Sequence, residues 1–364
     1  MVDKRVVREE IMDIKPYIPG KPIDEVKREL GLKEVIKLAS NENPLGPSPM
    51  AIDKMKEAVA KVNIYPDGNV HNLRQKLSKS LGIEANQLIF GNGSDELLVL
   101  LAQSFIKVDD EVVIADITFS EYEFATKIMG GKVVEVPLKD NTHDLEAMLA
   151  AITAKTKMVF ICNPNNPTGT IVERREVEEF LAKVPEDVIV VFDEAYYEYV
   201  DNSDYPQTIN YLNEYDNVII LRTFSKIYAL GGLRLGYGIS NSELIGYIDR
   251  VRQPFNINSI AQVAAEASLD DQDHVLKSLE YNRQGKQYLY QEFERLGLDY
   301  IPTETNFILI DLGRSNQEVF QQMLKKGIII RSLASYGYET EARVTIGLPE
   351  ENKKMIKALE EVLS

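Results

Sequence analysis

The sequence of 364 residues is poor in cysteine, histidine and tryptophan, with one Cys, three His and no Trp. A single cysteine, Cys162, cannot form an internal disulfide, and the scattered His71, His143 and His274 cannot complete a zinc site with it. We therefore expect no metal cofactor. Cys162 is either a nucleophile beside Asn163 or, as we favour, a buried residue at the end of a strand.

Long hydrophobic runs are lacking too. No apolar run approaches the ~18 residues of a membrane-spanning helix, and the first twenty residues do not contain the apolar core of a signal peptide. Positive charge is also scarce, because 41 Lys and Arg face 57 Asp and Glu for a formal charge of −16. Such a surface repels nucleic acid and anionic membranes. We therefore expect a cytoplasmic protein that binds neither, and an anionic substrate would need a local cluster of basic residues.

What the sequence does have is a regular alternation of short apolar runs and helix-like segments between about residues 86 and 240. Strands that are apolar throughout are typical of a mainly parallel sheet covered by helices on both faces, which makes this an α/β protein. The predicted strands are Leu88–Phe90, Val112–Ala115, Val133–Val136, Met158–Cys162, Val188–Phe192, Val218–Leu221 and Leu235–Ile239. The helices predicted between them are Glu96–Ile106, Ser120–Met129, Leu145–Ile152 and Arg174–Lys183.

The C-terminal part of the chain has a different pattern, which predicts a smaller α+β unit. We therefore predict a large domain over residues 41–270 and a small domain over residues 271–364, which the N-terminal residues 1–40 join. The predicted elements outside the alternating region are helices at Ile23–Leu30, Ala261–Leu269, His274–Leu296, Gln317–Lys326 and Glu351–Leu363, and strands at Phe307–Asp311, Ile328–Arg331 and Arg343–Ile346.

Polar segments follow four of the predicted strands, at the edge where open parallel sheets bind their ligands. They supply an amide, a carboxylate, a lysine with two hydroxyls, and a glycine-rich helix start. We therefore expect the functional site at this edge. In chain order the segments are Gly91–Glu96, Asn163–Gly169, Asp193–Tyr196 and Arg222–Lys226.

The glycine-rich helix start has two interpretations. Its glycines allow a close backbone approach, and the free N–H groups of a helix N-terminus bind phosphate. Alternatively, Ser94 is an ordinary N-cap, with Asp95 and Glu96 favourably placed near the positive end of the helix dipole. The segment lacks the lysine and spacing of a Walker loop and the glycine pattern of a dinucleotide site.

The carboxylate and the lysine also have alternatives. Asp193 ends an apolar strand, where it would pair with a cation such as a protonated pyridine nitrogen, or else cap a helix. Lys226 is either a sheltered amine that forms a Schiff base or a surface lysine. The hydroxyls of Thr223 and Ser225 suit a phosphate, and so does Arg234, eight residues beyond the lysine.

Together these segments resemble the fold type I pyridoxal-phosphate enzymes, most of all the class II aminotransferases and, within them, the histidinol-phosphate aminotransferase family. The likeness extends from Tyr17 to Arg343. Its motifs occur in the order that the family has. They are the loop Asn41–Ser48, the loop Asn163–Gly169, the strand end Asp193–Tyr196 and the Schiff-base segment Thr223–Arg234.

The resemblance implies a role for each matching residue. Lys226 would hold pyridoxal 5′-phosphate as a Schiff base and move the substrate proton, and Asp193 would pair with the ring nitrogen. The ring would also contact Asn166 and Tyr196 at its O3′ and stack on Phe119. Ser94, Asp95, Ser225 and Arg234 would form or brace the phosphate cup, and Thr223 would also bind the cofactor. Tyr65 would reach the phosphate held in the partner subunit of a homodimer. The substrate pocket would include Tyr17, Asn43, Arg331 and Arg343.

The implied reaction is amino transfer between L-histidinol phosphate and 2-oxoglutarate, giving imidazole acetol phosphate and L-glutamate in histidine biosynthesis. An aromatic amino-acid aminotransferase, as main or second activity, is the alternative, and a decarboxylase of a phosphorylated amino acid is a further variant. A non-catalytic regulator with this fold usually carries a DNA-binding domain, which the acidic charge disfavours. Two positions depart from the family: Phe119 replaces the Tyr of some relatives, and bulky Ile227 follows Lys226.

Overall fold

The computed structural model describes residues 6–12, 14 and 20–364, so the predicted substrate residue Tyr17 lies outside the described residues. The strands are β1 (Ile36–Lys37), β2 (Leu88–Gly91), β3 (Glu111–Ala115), β4 (Lys132–Val136), β5 (Thr156–Cys162), β6 (Ile189–Asp193), β7 (Val218–Thr223), β8 (Gly236–Ile239), β9 (Tyr300–Ile301), β10 (Phe307–Asp311), β11 (Ile328–Ile329), β12 (Arg331–Ser332) and β13 (Glu341–Thr345). The α-helices are α1 (Ile23–Leu30), α2 (Pro49–Val59), α3 (His71–Leu81), α4 (Ser94–Phe105), α5 (Glu121–Ile128), α6 (Leu145–Ala150), α7 (Arg174–Leu181), α8 (Ser242–Asp249), α9 (Ser259–Asp270), α10 (Gln272–Leu296), α11 (Asn316–Lys325) and α12 (Pro349–Leu363).

The seven predicted strands of the alternating region form one sheet, in the order β2-β8-β7-β6-β5-β3-β4. Its pairs are parallel from β7 to β4, and β8 runs antiparallel to both β7 and β2. The prediction of a mainly parallel sheet is thereby confirmed. The carboxyl ends of β5, β6 and β7 lie side by side, because Cys162 pairs with Asp193 and Asp193 with Leu221.

Helices cover the sheet on both faces, which explains why its strands are apolar throughout. Along β6, Val190 and Phe192 pack into one core with helices α3, α7 and α9. The alternate residues Ile189 and Val191 pack into the opposite core with α4, α5 and α8. Within the described part of the chain, no helix combines the length and the apolar character that crossing a membrane requires.

Three helices were not predicted, namely α2, α3 and α8. Helix α2 follows the proline-rich loop directly and begins at Pro49, a position at which proline costs no hydrogen bond. The Ser48 hydroxyl caps this helix by accepting from the N–H groups of Met50 and Ala51. Pro49 therefore begins a helix that the sequence pattern did not predict.

The smaller unit contains an antiparallel sheet in the order β12-β13-β10-β9 and a separate parallel pair, β1 with β11. The prediction of one continuous strand over Ile328–Arg331 is wrong, because the two halves of this segment belong to different sheets. Ile328 pairs with Ile36 of the N-terminal segment, so both chain ends contribute here. Arg331 pairs with Arg343, which places two arginines side by side. The domain boundaries themselves stay a prediction.

Candidate active site

A cavity lies at the carboxyl edge of the large sheet, where the small unit adjoins it. Among the described residues, it is lined by twelve of the predicted site residues: Ser94, Asp95, Phe119, Asn166, Asp193, Tyr196, Thr223, Ser225, Lys226, Arg234, Arg331 and Arg343. Asn43 and Tyr65, which were predicted with them, do not line it. The residues of the lining that we did not predict are Gly20, Ala39, Ser40, Asn41, Ser120, Cys162, Ala195 and Tyr336.

Asp193 lies at the bottom of this cavity, at the end of β6, and is 2% exposed. Its Oδ2 accepts a hydrogen bond from the Tyr122 hydroxyl at 2.7 Å, and its Oδ1 accepts from the Ala195 N–H at 3.2 Å. Burial raises the pKa of Asp193 to about 6, although the Tyr122 hydrogen bond opposes that shift. The helix-cap alternative is wrong, because the N-cap of the next helical turn is Tyr196.

Lys226 lies in the loop after β7 and extends into the cavity, with its Nζ 5.5 Å from the centroid of the Tyr196 ring. Burial, and next the positive charge of Arg343, lower the pKa of Lys226 to about 8. The Thr223 hydroxyl, which accepts from the Ser225 N–H at 3.0 Å, shapes the turn before the lysine. The surface-lysine alternative is therefore wrong, because Lys226 is sheltered in the cavity, where its pKa is lowered.

The start of α4 forms another wall of the cavity. Its N-cap is Gly93, with φ +83°, and Ser94 is the first helical residue, so the prediction of Ser94 as N-cap is wrong. Arg234 Nη2 lies 2.8 Å from Asp95 Oδ2, and a Cβ on Gly93 would be only 2.4 Å from the same Nη2. The glycine is therefore required both for its backbone conformation and for room beside the guanidinium.

Arg343 closes the side of the cavity that belongs to the small unit. It is 8% exposed, and its guanidinium donates to Asn166 Oδ1 at 2.5 Å and to the Ala39 carbonyl at 2.8 Å. Arg331, its register partner in β12, also lines the cavity. Two guanidinium groups thus face the same space as the Lys226 amine, an arrangement suited to an anionic ligand.

The loop Asn41–Ser48 contributes differently from our prediction. The Asn43 side chain donates to the Ile227 carbonyl at 2.8 Å and to Ser278 Oγ at 3.0 Å, away from the cavity. Asn41, which we did not single out, lines the cavity and donates to the Tyr196 hydroxyl at 2.8 Å. The motif predicted the correct loop, but only the backbone path decides which of its two asparagines points inward.

A buried ion pair lies beneath the site and was not predicted. Arg222 Nε and Nη2 each lie 2.8 Å from Glu194 Oε2, with the two side chains 5% and 0% exposed. The other carboxylate oxygen accepts from the Thr208 hydroxyl at 2.5 Å, and the guanidinium stacks on the Tyr197 ring at 3.6 Å. Because Glu194 follows Asp193 and Arg222 precedes Thr223, this pair joins the two strand ends that carry the site.

The departures from the family pattern have simple structural consequences. Phe119 lines the cavity, with its ring edge-to-face against Tyr122 at 5.7 Å. Ile227 is fully buried in a separate cluster with Tyr196 and Phe307, so its bulk is accommodated there. Cys162 is 2% exposed and burial raises its pKa to about 12, so the prediction of a buried strand-end cysteine is confirmed.

A lysine amine, a buried carboxylate and paired arginines at this edge of an α/β sheet define an enzyme of the aminotransferase type. The chain belongs to the class I and II aminotransferase family, whose model matches residues 33–359. A histidinol-phosphate aminotransferase of Moorella thermoacetica is 55% identical over 358 residues, covering 98% of this chain and 93% of that protein. Another, of Caldicellulosiruptor saccharolyticus, is 50% identical and covers 98% of this chain and 99% of its own length.

The comparison with solved structures finds the same kind of protein as the sequence comparison. The crystal structure of histidinol-phosphate aminotransferase from Sinorhizobium meliloti in complex with pyridoxal-5′-phosphate matches with a TM-score of 0.89. The two sequences are 28% identical, and the match covers 98% of this chain and 96% of that one. The predicted fold type and family are thereby confirmed.

Proposed function

We propose that this chain catalyses pyridoxal-phosphate-dependent amino transfer between L-histidinol phosphate and 2-oxoglutarate, giving imidazole acetol phosphate and L-glutamate. The observation that carries the proposal is the pairing of Arg331 and Arg343 in the same cavity as Lys226 and Asp193. The full-length relatives at 50–55% identity support the substrate, because they are histidinol-phosphate aminotransferases. This reaction belongs to histidine biosynthesis.

The residues of the cavity fit pyridoxal phosphate at each of its functional groups. Lys226 offers an amine to the aldehyde, and Asp193 offers a buried carboxylate to the ring nitrogen. The first turn of α4, with Ser94, and the nearby Ser225, Thr223 and Arg234 offer donors to a phosphate, with Asp95 bracing the arginine. Asn166, Tyr196 and Phe119 also line the cavity, and by the family resemblance the first two would contact the ring oxygen and Phe119 would stack on the ring face.

The protein side chains then direct the chemistry. Pyridoxal phosphate, when bound, would supply an aldehyde for the substrate amine and a sink for the electrons of the substrate Cα. With a pKa lowered to about 8, the Lys226 amine is partly neutral near pH 7 and can take the Cα proton as a general base. Asp193 would hold a proton at the ring nitrogen, since a buried carboxylate pairs strongly with a cationic donor.

We assign the binding of the substrate anion to the two arginines. A guanidinium binds phosphate or carboxylate with paired hydrogen bonds, so Arg343 and Arg331 suit both histidinol phosphate and glutamate. Tyr17 remains a proposed substrate residue by family resemblance. Asn43 is proposed instead to hold its loop, since its amide is bonded to Ile227 and Ser278.

A homodimer is part of the proposal. An exposed apolar surface, the Tyr65 patch, lies outside the cavity and consists of Val59, Val62, Ile64, Tyr65 and Phe255, which are 61%, 60%, 63%, 81% and 47% exposed. Tyr65 stacks on Phe255 with ring centroids 5.1 Å apart. Such a patch is typical of an interface, and a second copy that covers it would bring Tyr65 to the neighbouring cofactor phosphate. A cytoplasmic location also stays a proposal.

Aromatic amino-acid transamination is the alternative, as main or second activity. It is favoured by Tyr336, whose ring lines the cavity and would accept a flat aromatic side chain. The carboxylate of phenylalanine or tyrosine would then bind to Arg343, as the carboxylate of glutamate would in the main proposal.

The test is a single half-reaction. Histidinol phosphate alone is added to the cofactor-loaded protein, and loss of the visible absorption band of the bound cofactor is recorded. We expect rapid loss with histidinol phosphate and with glutamate. Lys226→Ala, which lacks the base, should lose the band very slowly. If phenylalanine removes the band readily and histidinol phosphate does not, the aromatic alternative replaces the main proposal.

A further inference from the structure

Tyr122 is fully buried beside the site. Its hydroxyl makes a contact there that no sequence motif predicted. Its ring lies parallel to that of Phe160, with centroids 4.6 Å apart and an interplanar angle of 6°, and perpendicular to that of Phe119. Held between these rings, the hydroxyl donates to Asp193 Oδ2 at 2.7 Å. The position of the hydroxyl is therefore fixed by packing on both sides.

We propose that Tyr122 is a positioning residue for amino transfer, whose hydroxyl keeps the Asp193 carboxylate ionised and aimed at the ring nitrogen of the cofactor. The inference rests on the proposed function. The geometry supports it because the carboxylate already accepts from Tyr122 on Oδ2 and from the Ala195 N–H on Oδ1. These two donors fix the plane of the carboxylate while lone pairs remain for a third donor.

The charges around Asp193 show why one hydroxyl matters. Burial raises the pKa of Asp193 to about 6, and the charge of Asp95 adds to that rise. The Tyr122 hydrogen bond, the Ala195 N–H and the charge of Lys226 act in the opposite direction, with the Tyr122 contribution first among them. Cys162, on neighbouring β5, does not replace it, because its thiol is a weak donor and already donates to the Pro164 carbonyl at 3.4 Å.

Removal of the hydroxyl should shift the proton between the ring nitrogen and Asp193. A hydrogen bond to a buried charged group stabilises the ionised form, so its loss makes the carboxylate more basic. The proton then moves from the ring nitrogen toward Asp193, and the pairing weakens. From the typical strength of such bonds we expect about tenfold weaker cofactor binding, or more.

The experiment compares two ligands of the apoprotein, pyridoxal phosphate and its 1-deaza analogue, in which a carbon replaces the ring nitrogen. Tyr122→Phe keeps the packed ring and removes only the hydroxyl. We expect it to weaken binding of pyridoxal phosphate about tenfold or more and to leave binding of the analogue within about twofold of the original protein. The penalty should depend on the ring nitrogen, since the hydroxyl acts through Asp193.

The matched control is Tyr205→Phe. Tyr205 is 3% exposed, and its hydroxyl donates to the Asn163 carbonyl at 2.5 Å. The substitution therefore also removes a buried hydroxyl near the site. This variant should bind both ligands as the original protein does.

A second readout is the pH at which the visible band of the bound cofactor changes. Loss of positive charge at the ring nitrogen should raise this pH by about one unit in Tyr122→Phe only.

Each result has a definite meaning. If Tyr122→Phe weakens both ligands equally, or weakens neither, Tyr122 does not act through the ring nitrogen and the inference is overturned. The same holds if Tyr205→Phe shifts the band as Tyr122→Phe does. If the original protein binds pyridoxal phosphate without the shift of its absorption band that Schiff-base formation with Lys226 would cause, the proposed function itself fails.

Discussion

The ion pair between Glu194 and Arg222 should be the most sensitive polar contact beneath the site. Both side chains are nearly inaccessible to solvent, at 0% and 5% exposure, so water cannot replace a lost partner. Glu194→Gln keeps an amide oxygen for the Thr208 hydroxyl but leaves Arg222 with a neutral partner. Arg222→Met keeps the length of the side chain and leaves the carboxylate unpaired.

The expected loss follows from the burial of the pair. Removal of one member leaves an uncompensated charge in a dry environment, which typically costs about 3–5 kcal/mol of unfolding free energy. The double variant removes both charges and should lose much less than the sum of the two single losses. A coupling energy of at least about 2 kcal/mol is therefore expected from the double-mutant cycle.

Urea unfolding of the apoprotein, followed by far-UV circular dichroism, measures these losses. Arg175→Met serves as the control, because its partner Glu179 lies on the same exposed face of α7 and the side chains are 89% and 56% exposed. That variant should leave the urea midpoint unchanged. Additive losses in the cycle, or a loss in Arg175→Met as large as in Arg222→Met, would refute the reasoning from burial.

The other predictions concern single residues. Uptake of pyridoxal phosphate by the apoprotein, followed by absorbance, should accelerate as pH rises through about 8, because burial lowers the pKa of Lys226 to that value and only the neutral amine reacts. Gly93→Ala, whose Cβ would lie 2.4 Å from Arg234, should weaken cofactor binding about tenfold, whereas Gly246→Ala, in open space on a helix, should not. Burial lowers the pKa of His143 from 6.5 to about 4, so unfolding takes up a proton in that window and stability falls as pH drops through it. His143→Phe should flatten that fall in urea midpoints measured between pH 7 and 4.

The parts of the fold that the sequence predicted are those that depend on local pattern. Seven apolar runs gave seven strands, and the polar segments after β5, β6 and β7 meet because parallel strands end at one edge. Twelve predicted site residues therefore line one cavity. Where local signals conflict, as at Pro49, the pattern was misleading, because proline both breaks a helix and begins one.

The features that the sequence did not predict depend on contacts between segments that are distant along the chain. Tyr122 and Asp193 are 71 residues apart, and Asn41 and Tyr196 are 155 residues apart. Nothing in the local pattern of a buried tyrosine indicates which carboxylate its hydroxyl meets. Polar partners of this kind are decided by the packing of helices on the sheet, so they become evident only in three dimensions.

The different partners of the arginines were not evident from the local sequence either. They explain how an acidic chain can receive an anionic substrate. Arg222 is bound to the carboxylate of Glu194 beneath the site, whereas Arg343 lines the cavity and donates to Asn166 Oδ1 and to the Ala39 carbonyl. The charge of Arg343 is felt in the cavity, because after burial it is the largest cause of the lowered Lys226 pKa. In the proposed function, this one arginine would both attract the substrate anion and lower the pKa of the amine that takes the substrate proton, despite a net charge of −16 on the whole chain.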